Sequence, residues 1–384
     1  MNTFDFSRFC RQSPDWEIDW QEIESEYAEW VEPLKNTQQN TLWHGEGDVW
    51  THTRMAVEKL VELEAWKNRP QPNRIMLFIA VLLHDIGKSI CTKIDNGRIV
   101  SPKHGLKGAM LARKILWMPP FNLAGTPDRI RLREGIVSMI RLHSMPCQLI
   151  DRSEPVREVV RSSMFVRNDE LAILSTADLL GRIHEQKEKS LEKVELFRQF
   201  ANENHCLTEA YHFASERSRF AYFNGILDHP SQELYDGTWG EIILMSGVSA
   251  SGKDHYVSEH FTGRPVISLD EIRDKLRIDW TDNQGPVINA AKEQAKEYLR
   301  NKIQFVWNAT NLSREIRSSL IRLFSSYNTR VRIVYMETDF STLLHRNRQR
   351  QKPVLESAIF SMLDTLEFPT VLEADRVDVV TPVR

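Results

Sequence analysis

Residues 241–254 read EIILMSGVSASGKD, and they decide how the second half of the chain folds. An apolar strand at residues 242–245 runs into residues 247–253, which have the G-x-x-x-x-G-K pattern of a phosphate-binding loop. Gly247 and Gly252 permit backbone angles that side chains disfavour, so the amides can point at a phosphate where the next helix starts. Lys253 would then reach the outer phosphates of a nucleotide.

One position of this loop departs from the usual pattern. Asp254 stands where Ser or Thr ordinarily binds Mg²⁺. Because a carboxylate also binds Mg²⁺, directly or through water, the class of site is unchanged. The sequence therefore predicts a site for ATP, or another nucleoside triphosphate, with Mg²⁺. The residues expected to form it are Gly247, Ser249, Ser251, Gly252, Lys253 and Asp254.

The length of the chain favours two domains. At 384 residues it is long for one hydrophobic core, and 41% hydrophobic and 27% charged residues are ordinary for a globular protein. The stretch 230–240 contains Pro230, Gly237 and Gly240, and it is the best candidate boundary. We expect an all-α domain over residues 1–235 and an α/β domain with a mostly parallel sheet over residues 236–384.

Composition also bounds the cellular setting. The four cysteines form no C-x-x-C pair and no close cluster, which favours a reducing compartment over a disulfide framework or a zinc finger. The N-terminus is polar and acidic, and the apolar run at residues 75–83 is too short to span a bilayer. A cytoplasmic protein with no membrane association is the expectation. The formal net charge of −3 does not point to nucleic acid by itself.

Helical periodicity dominates residues 50–230, where no strand is predicted. The first 40 residues, rich in Trp and Glu, are expected to form one or two helices that pack on this domain without contributing chemistry. The predicted helices of the main part are 51–63, 72–85, 105–116, 127–143, 169–185, 191–200 and 209–223.

Six side chains at the ends and inner faces of these helices could bind metal. A single histidine on a helix is more often a core residue than a ligand. Together, imidazoles and carboxylates in this order suit a first-row transition metal or Mg²⁺. The six are His52, His84, Asp85, His104, His143 and Asp178.

Residues 43–182 resemble the HD superfamily of metal-dependent phosphohydrolases. The resemblance rests on His52, the pair His84-Asp85 and Asp178, and on the local sequences HGEGDVWTH and LLHDIGKS. It implies that the other two histidines bind a second metal, that Asp85 bridges the two ions, and that a bridging hydroxide attacks a phosphate. A single-metal site without His104 and His143 stays open. Mn²⁺, Ni²⁺ or Co²⁺ would suit the ligands, and Lys88 is expected to contact the substrate phosphate.

The loop before the first of these histidines leaves a further alternative open. His44, Glu46 and Asp48 either support the metal ligands or belong to an ordinary polar loop.

In the second half, strands alternate with helices, which predicts a mostly parallel sheet. The predicted strands are 265–268, 303–307, 331–336 and 377–380, and the predicted helices are 253–260, 270–276, 286–301, 314–325 and 340–350. Ligands of such folds bind at the carboxyl ends of the strands. We therefore expect Asp270, Asn308 and Thr310 to emerge beside the phosphate-binding loop.

Two pairs of side chains near these strand ends suit phosphoryl transfer. Asp270 could accept the proton of an attacking hydroxyl, and Arg273, one turn later, could hold a substrate phosphate. The alternative for Asp270 is a helix N-cap. Arg346 and Arg350 share one helix face and could close over the donor's phosphates. The alternative for them is a solvated basic helix.

Residues 240–384 resemble the P-loop kinase domain of 5′-OH polynucleotide kinases. The matching parts are GVSASGKD, the D-x-x-R of Asp270 and Arg273, WNATNLSREIR, and RNRQR followed by Pro353-Val354. The resemblance implies that Lys253 binds the donor phosphates, that Asp270 is the general base and that Arg273 contacts a phosphate of the acceptor. It also implies a lid formed by the two later arginines. Asn308 departs from the pattern, because many relatives have Asp there.

The order of the two halves resembles the bacterial HD-Pnk family, which repairs broken RNA. This implies a 2′,3′-phosphatase and a 5′-OH kinase, acting on RNA or DNA ends that carry a 5′-OH and a 2′- or 3′-phosphate, with a stand-alone RNA ligase as an expected partner. Two alternatives stay open. The substrates are small, with a nucleoside or sugar kinase beside a nucleotide phosphohydrolase, or the first half is a binding module that supports the kinase.

Overall fold

The computed structural model describes residues 9–10, 16–279 and 281–381. These residues form two compact units. The first, the helical unit, comprises the described residues up to Leu123 together with Arg129–His212. The second, the α/β unit, comprises Ala124–Asp128 and the described residues from Phe213 onward. The domain boundary near residue 235 stays a prediction.

Three helices form the centre of the helical unit, and several of its predicted metal ligands lie on them or directly after them. They are α3, α5 and α11, which pack against one another, and almost every side chain from Asn168 to Leu179 in α11 is buried. The helices of this unit are α1 (Trp20–Glu26), α2 (Ala28–Lys35), α3 (Val49–Glu62), α4 (Glu64–Lys67), α5 (Gln71–Leu83), α6 (Lys88–Cys91), α7 (His104–Trp117), α8 (Pro127–Leu142), α9 (Met145–Gln148), α10 (Pro155–Ser163), α11 (Asn168–Leu180) and α12 (Lys187–Glu203), with a 3₁₀ turn at Leu149–Asp151.

A short hairpin interrupts the helices, and the prediction of no strand in residues 50–230 is wrong there. Strands β1 (Lys93–Asp95) and β2 (Arg98–Val100) pair antiparallel across the turn at Asn96 and Gly97. Both turn residues have positive φ, 48° and 72°. Asn-Gly is the dipeptide that such two-residue hairpin turns favour, so the sequence did contain this signal.

Two predicted helices are shorter in the structure than the pattern indicated. The helix predicted at 169–185 ends at Leu180, and its C-cap is Gly181, where a side chain would come within 2.6 Å of the backbone nitrogen of Ala56. The helix predicted at 209–223 covers only α13 (Glu216–Phe223), which belongs to the α/β unit. Ser215 caps it by accepting a hydrogen bond from the Ser218 amide, so the helix cannot begin earlier.

The α/β unit is built on a five-stranded sheet in the order β4-β5-β3-β6-β7, with all neighbours parallel. Its strands are β3 (Glu241–Ser246), β4 (Val266–Ser268), β5 (Val306–Asn308), β6 (Arg330–Met336) and β7 (Arg376–Val380). Besides α13, its helices are α14 (Lys253–His260), α15 (Leu269–Leu276), α16 (Gly285–Arg300), α17 (Arg314–Ser325), α18 (Phe340–Arg348) and α19 (Glu356–Thr365). The last of these was not predicted.

The central strand β3 is covered on both faces. Ile242 and Leu244 pack into the larger apolar cluster with α16 and α17, and Ile243 and Met245 pack into a smaller one with Val257 of α14. Successive side chains of a strand point to opposite faces, so a strand buried on both sides reads as a continuous apolar run. The chain crosses from one side of β3 to the other between β5 and β6, and this is the point where ligands bind in open parallel sheets.

Among the described residues, none of the helices combines the length and the apolar character needed to cross a membrane.

Candidate functional sites

The helical unit brings the six predicted metal ligands together. His52 lies on α3, His84 and Asp85 follow α5, and Asp178 lies on α11. The other two, His104 and His143, start α7 and follow α8. His52, His84, Asp85, His143 and Asp178 are each at most 2% exposed, so the cluster belongs to the interior.

The histidines form two pairs whose Nε2 atoms face each other. The Nε2 atoms of His52 and His84 are 3.2 Å apart, and those of His104 and His143 are 3.1 Å apart. Metal–nitrogen bonds of about 2.1 Å place neighbouring nitrogen ligands of one ion about 3.0–3.4 Å apart. The spacing of both pairs therefore fits nitrogen atoms that share a cation.

The other ring nitrogens show why the Nε2 atoms face inward. His84, His104 and His143 each use Nδ1 on a backbone oxygen, of Val81, Ser101 and Ile140, at 2.7, 2.9 and 2.7 Å. A carbonyl oxygen can only accept, so in the neutral form of each imidazole Nδ1 carries the proton and Nε2 carries the lone pair. This is the tautomer that a metal-binding imidazole requires.

Asp85 lies between the two histidine pairs. Its Oδ2 is 3.3 Å from Nε2 of His84, and its Oδ1 is 3.5 Å from Nε2 of His104. Neither oxygen has a hydrogen-bond partner among the described residues, although both are buried. Lys88 places its ammonium 2.7 Å from Oδ2, but outside hydrogen-bonding geometry. Since buried carboxylates without hydrogen bonds are costly, these oxygens fit the ligands of one or two cations. Among the described residues three groups of side chains have the required spacing, and two of them include Asp85, whereas the third consists of His44, Glu46 and His52.

A glycine allows this arrangement. A side chain at Gly87 would lie 2.2 Å from the carbonyl oxygen of His104 and 2.5 Å from the nitrogen of Gly108. Only glycine lets the turn after α5 approach the start of α7 so closely. The consequence is that Asp85 and His104 belong to one site, although different helices carry them.

The electrostatics of the cluster favour bound cations. Burial would raise the pKa of Asp85 and of Asp178, but Lys88 and Arg182 respectively hold these pKa values well below the usual range. Burial would lower the pKa of His84, yet Asp85 and Asp178 raise it to about 10. The two ionised, buried carboxylates thus stabilise positive charge at the imidazoles, whether it is a proton or a metal ion.

Three supporting residues surround the ligands. The sequence left the role of Glu46 open and assigned none to Arg182 or Gln39. Glu46 accepts from Nδ1 of His44 at 2.8 Å and lies 3.0 Å from Nδ1 of His52, while its other oxygen accepts from the Ile183 amide. This favours a supporting role over an ordinary polar loop. Arg182 pairs with Asp178, one helical turn earlier, which is a spacing the sequence does show.

The third supporting residue is Gln39. It is buried and accepts a hydrogen bond of 2.6 Å from the ammonium of Lys88. No pattern links two residues this far apart along the chain. Gln39 and Asp85 together hold the amine of Lys88 beside the ligands.

In the α/β unit, the phosphate-binding loop has the predicted strand before it and helix after it. Gly247 has φ 141°, and a side chain there would lie 2.5 Å from the carbonyl oxygen of Met336. Gly252 has φ 101° and directly precedes the first residue of α14, Lys253. Both conformations favour glycine, and the start of α14 directs free amides into the loop.

A cavity of about 340 Å³ opens beside this loop. Asp270, Asn308 and Thr310 line it, as expected for residues at the carboxyl ends of strands. The other predicted residues that line it are Ser249, Gly252, Lys253, Asp254, Arg273, Arg346 and Arg350. Gly247 and Ser251 do not line it. They belong to the loop beneath, where Ser251 is fully buried.

Three basic side chains contact the loop itself. Lys253 donates to the carbonyl oxygens of Gly247 and Val248, each at 2.9 Å, and burial lowers its pKa to about 8. Arg350 donates to the hydroxyl of Ser249 at 2.9 Å, and Arg346 lies 3.5 Å from the carbonyl oxygen of Ser251. These arginines therefore face the cavity and are not an ordinary solvated helix surface. They do not share one helix face as predicted, because α18 ends at Arg348 and only Arg346 lies on it.

Asp270 and Arg273 form an ion pair on the cavity wall. Ser268, not Asp270, caps α15, so the capping alternative for Asp270 is wrong. Gln284 accepts from Nε of Arg273 at 2.9 Å and fixes the guanidinium from its other side. The Asp270 side chain is 73% exposed, which leaves its carboxylate accessible to a substrate.

Comparison with known proteins bears on the α/β unit. A family model described as an AAA domain matches residues 242–369. A search of curated proteins found no match. The match covers the phosphate-binding loop, the cavity residues and α18. It supports a P-loop kinase-like domain, which implies a phosphotransferase that uses ATP or another nucleoside triphosphate with Mg²⁺.

Proposed function

We propose that this chain heals broken RNA ends with two active sites. The helical unit removes a 2′- or 3′-phosphate as a metal-dependent phosphohydrolase of the HD type, and the α/β unit phosphorylates a 5′-OH as a polynucleotide kinase. One observation carries the proposal. The same chain contains a cluster of carboxylates and imidazoles suited to bind cations and a cavity at a phosphate-binding loop suited to bind anions.

In the helical unit, the chain's own residues would hold the ions and the substrate. The four histidines and Asp178 supply ligands, and Asp85 offers one oxygen to each histidine pair. One or two divalent ions would supply a hydroxide and neutralise charge on the phosphate. Lys88, held by Gln39, would bind a phosphate oxygen and orient the group for in-line attack.

In the α/β unit, Lys253, Arg346 and Arg350 would bind the phosphates of the donor nucleotide. Asp270 would take the proton of the 5′-hydroxyl as that oxygen bonds to the γ-phosphorus, while the bond to the departing diphosphate breaks. Arg273, already beside Asp270, would bind a phosphate of the acceptor strand.

The two reactions complement each other chemically. RNA cleavage through the 2′-OH leaves a 2′,3′-cyclic phosphate or 3′-phosphate and a 5′-OH. A ligase that joins a 3′-OH to a 5′-phosphate cannot use either end. Removing the first phosphate and adding the second would prepare both ends for a separate RNA ligase.

The test uses one short RNA with a 5′-OH and a 3′-phosphate, incubated with ATP, Mg²⁺ and Mn²⁺. Wild-type protein should change both ends. Lys253→Ala should lose only 5′ phosphorylation, and Asp85→Ala should lose only 3′ phosphate release. Each variant is thus the control for the other.

Acceptor choice separates this proposal from the small-molecule alternative. If free nucleosides are phosphorylated and the RNA is left unchanged, the polynucleotide assignment is wrong. If the 5′ end changes while the 3′ end never does, even with metal supplied, the helical unit is a binding module.

A further inference from the structure

The loop and the neighbouring strand depart from the usual magnesium site at two positions, and the structure puts these two in contact. In P-loop enzymes, Mg²⁺ is ordinarily held by a Ser or Thr hydroxyl after the loop lysine and by an Asp on another strand. Here the residue after Lys253 is Asp254, and the residue at the end of β5, next to the loop strand β3, is Asn308. The carboxylate and the neutral group have changed places.

The contact between the two side chains is direct. Asn308 donates from Nδ2 to Oδ1 of Asp254 at 2.7 Å. The two residues are 54 positions apart in sequence, so the fold alone brings them together. Both line the cavity beside the phosphate-binding loop.

The remaining oxygen of Asn308 points to a ligand. Asn308 is only 9% exposed, and its Oδ1 is buried without a hydrogen-bond partner among the described residues. An unpaired buried amide oxygen is costly unless water or a cation satisfies it. Carbonyl and carboxylate oxygens are the ligands that Mg²⁺ prefers, directly or through its bound waters.

Charge gives a second reason. A carboxylate at the first turn of α14 interacts favourably with the positive end of the helix. In this cavity it would also repel the phosphates that Lys253 and the arginines attract. A cation between Asp254 and the phosphates removes that repulsion, and the total charge of the pair equals that of the usual hydroxyl and Asp.

We propose that Asp254 and Asn308 form a transposed magnesium site, in which the carboxylate comes from the start of α14 and the neutral oxygen comes from the end of β5. Asp254 binds the ion, and Asn308 orients the carboxylate and offers Oδ1 to the ion or to one of its waters. This inference rests on nucleotide binding by the α/β unit in the proposed function, and it is independent of the acceptor.

The experiment is a double-mutant cycle of D254S, N308D and the double variant in the full-length protein. The readout is the affinity for a non-hydrolysable ATP analogue, measured calorimetrically over a Mg²⁺ series, which yields an apparent Mg²⁺ affinity for each variant. D254S should weaken that affinity by about tenfold or more, the range expected for losing a group that supports a metal. D254S/N308D, which recreates the usual hydroxyl and Asp, should recover to within about threefold of wild type.

The control is Asp274→Ser, on the exposed surface of α15, where Asp274 pairs with Lys352 at 3.1 Å. It should leave the Mg²⁺ series unchanged. Melting temperatures establish that each variant is folded, and binding without Mg²⁺ gives a reference for each.

The outcomes separate this inference from the proposed function. If D254S keeps the wild-type Mg²⁺ affinity, or if the two substitutions act independently, the transposed site is wrong while nucleotide binding stands. If wild-type protein binds no nucleotide at any Mg²⁺ concentration, nucleotide use itself is wrong, and this inference fails with it.

Discussion

The helical unit and the α/β unit arrange charge in opposite ways. In the helical unit, two carboxylates are buried among imidazoles whose Nε2 lone pairs face inward, so the cluster attracts cations. In the α/β unit, lysine and arginine side chains surround a loop at the start of a helix, so the cavity attracts anions. Under the proposed function both handle phosphate, one through a bound cation and the other by direct contact.

The two sites also differ in how their residues are distributed along the sequence. The phosphate-binding loop is a continuous segment whose local geometry already depends on Gly247 and Gly252. The metal cluster draws on residues from 52 to 178, and its spacing depends on how whole helices pack. A substitution in the cluster should therefore disturb metal binding and packing together, whereas removing the Lys253 side chain should act on nucleotide binding.

The largest expected effect comes from Asp85, the central carboxylate of the cation-binding cluster. Asp85→Asn should abolish retained metal and reduce 3′ phosphate release by at least about 10³-fold, since bound ions supply several kcal/mol of charge stabilisation. Elemental analysis of the purified protein and a phosphate-release assay measure the two effects.

Asp151→Asn is the matched control for Asp85, because Asp151 is exposed and pairs with Lys193 at 2.7 Å. It should retain metal and activity. Full metal content in Asp85→Asn would show that the cluster does not depend on its central carboxylate.

Asp270 tests the opposite, anion-binding site. Asp270→Asn should lower the rate of 5′ phosphorylation by about 10²–10⁴-fold through loss of the general base, with nucleotide affinity unchanged. Single-turnover kinetics and calorimetry separate these quantities. Glu271→Gln, one residue along the same exposed turn, should behave as wild type, and unchanged phosphoryl transfer in Asp270→Asn would remove Asp270 from the mechanism.

Glu46 tests whether residues beside the metal ligands contribute to cation binding in the helical unit. Glu46→Gln should weaken Mn²⁺ binding by about 10–100-fold, as expected when the partner of a metal-binding imidazole is lost. Titration calorimetry measures the affinity directly. Glu29→Gln, on the exposed face of α2, serves as control, and equal affinities in both variants would reduce Glu46 to a residue that only holds the loop.

Lys253 gives the smallest expected effect and a signature in pH. Lysine is charged below its pKa, and burial lowers the pKa of Lys253 from 10.5 to about 8. Between pH 8 and pH 9 the affinity for a Mg²⁺-bound ATP analogue should therefore fall, by up to about tenfold. An affinity that stays flat to pH 9 would show that the pKa of Lys253 in the free protein is not lowered to about 8, or that its charge does not contribute to phosphate binding.

The sequence predicts the site residues better than their surroundings. The six metal-binding candidates could be named because their types and order are unusual, and the loop because its glycines are. Gln39 could not be found, since its contact with Lys88 bridges 49 positions and exists only after folding. The transposed pair was visible as two separate departures from a pattern, and only the contact between Asp254 and Asn308 relates them.

Periodicity explains where the fold was predicted and where it was not. Helices α14 and α17 begin and end as expected, since Gly252 and Ser313 mark their starts clearly. The strand predicted at 303–307 instead begins at Val306, because the chain first turns at Lys302, which has positive φ, and leaves Ile303 38% exposed. Apolar character alone cannot distinguish such a connecting segment from the strand that follows.

The partial exposure of His104 has a consequence for how ions would enter and leave. Its side chain is 25% exposed, whereas those of His52 and His84 are fully enclosed. If two ions are bound as the proposed function allows, a chelator would approach the one on the His104 side directly and would reach the other position only after that ion has gone. We expect metal loss in two kinetic phases, a fast one and a slow one, so that dilute chelator would leave a half-loaded protein behind.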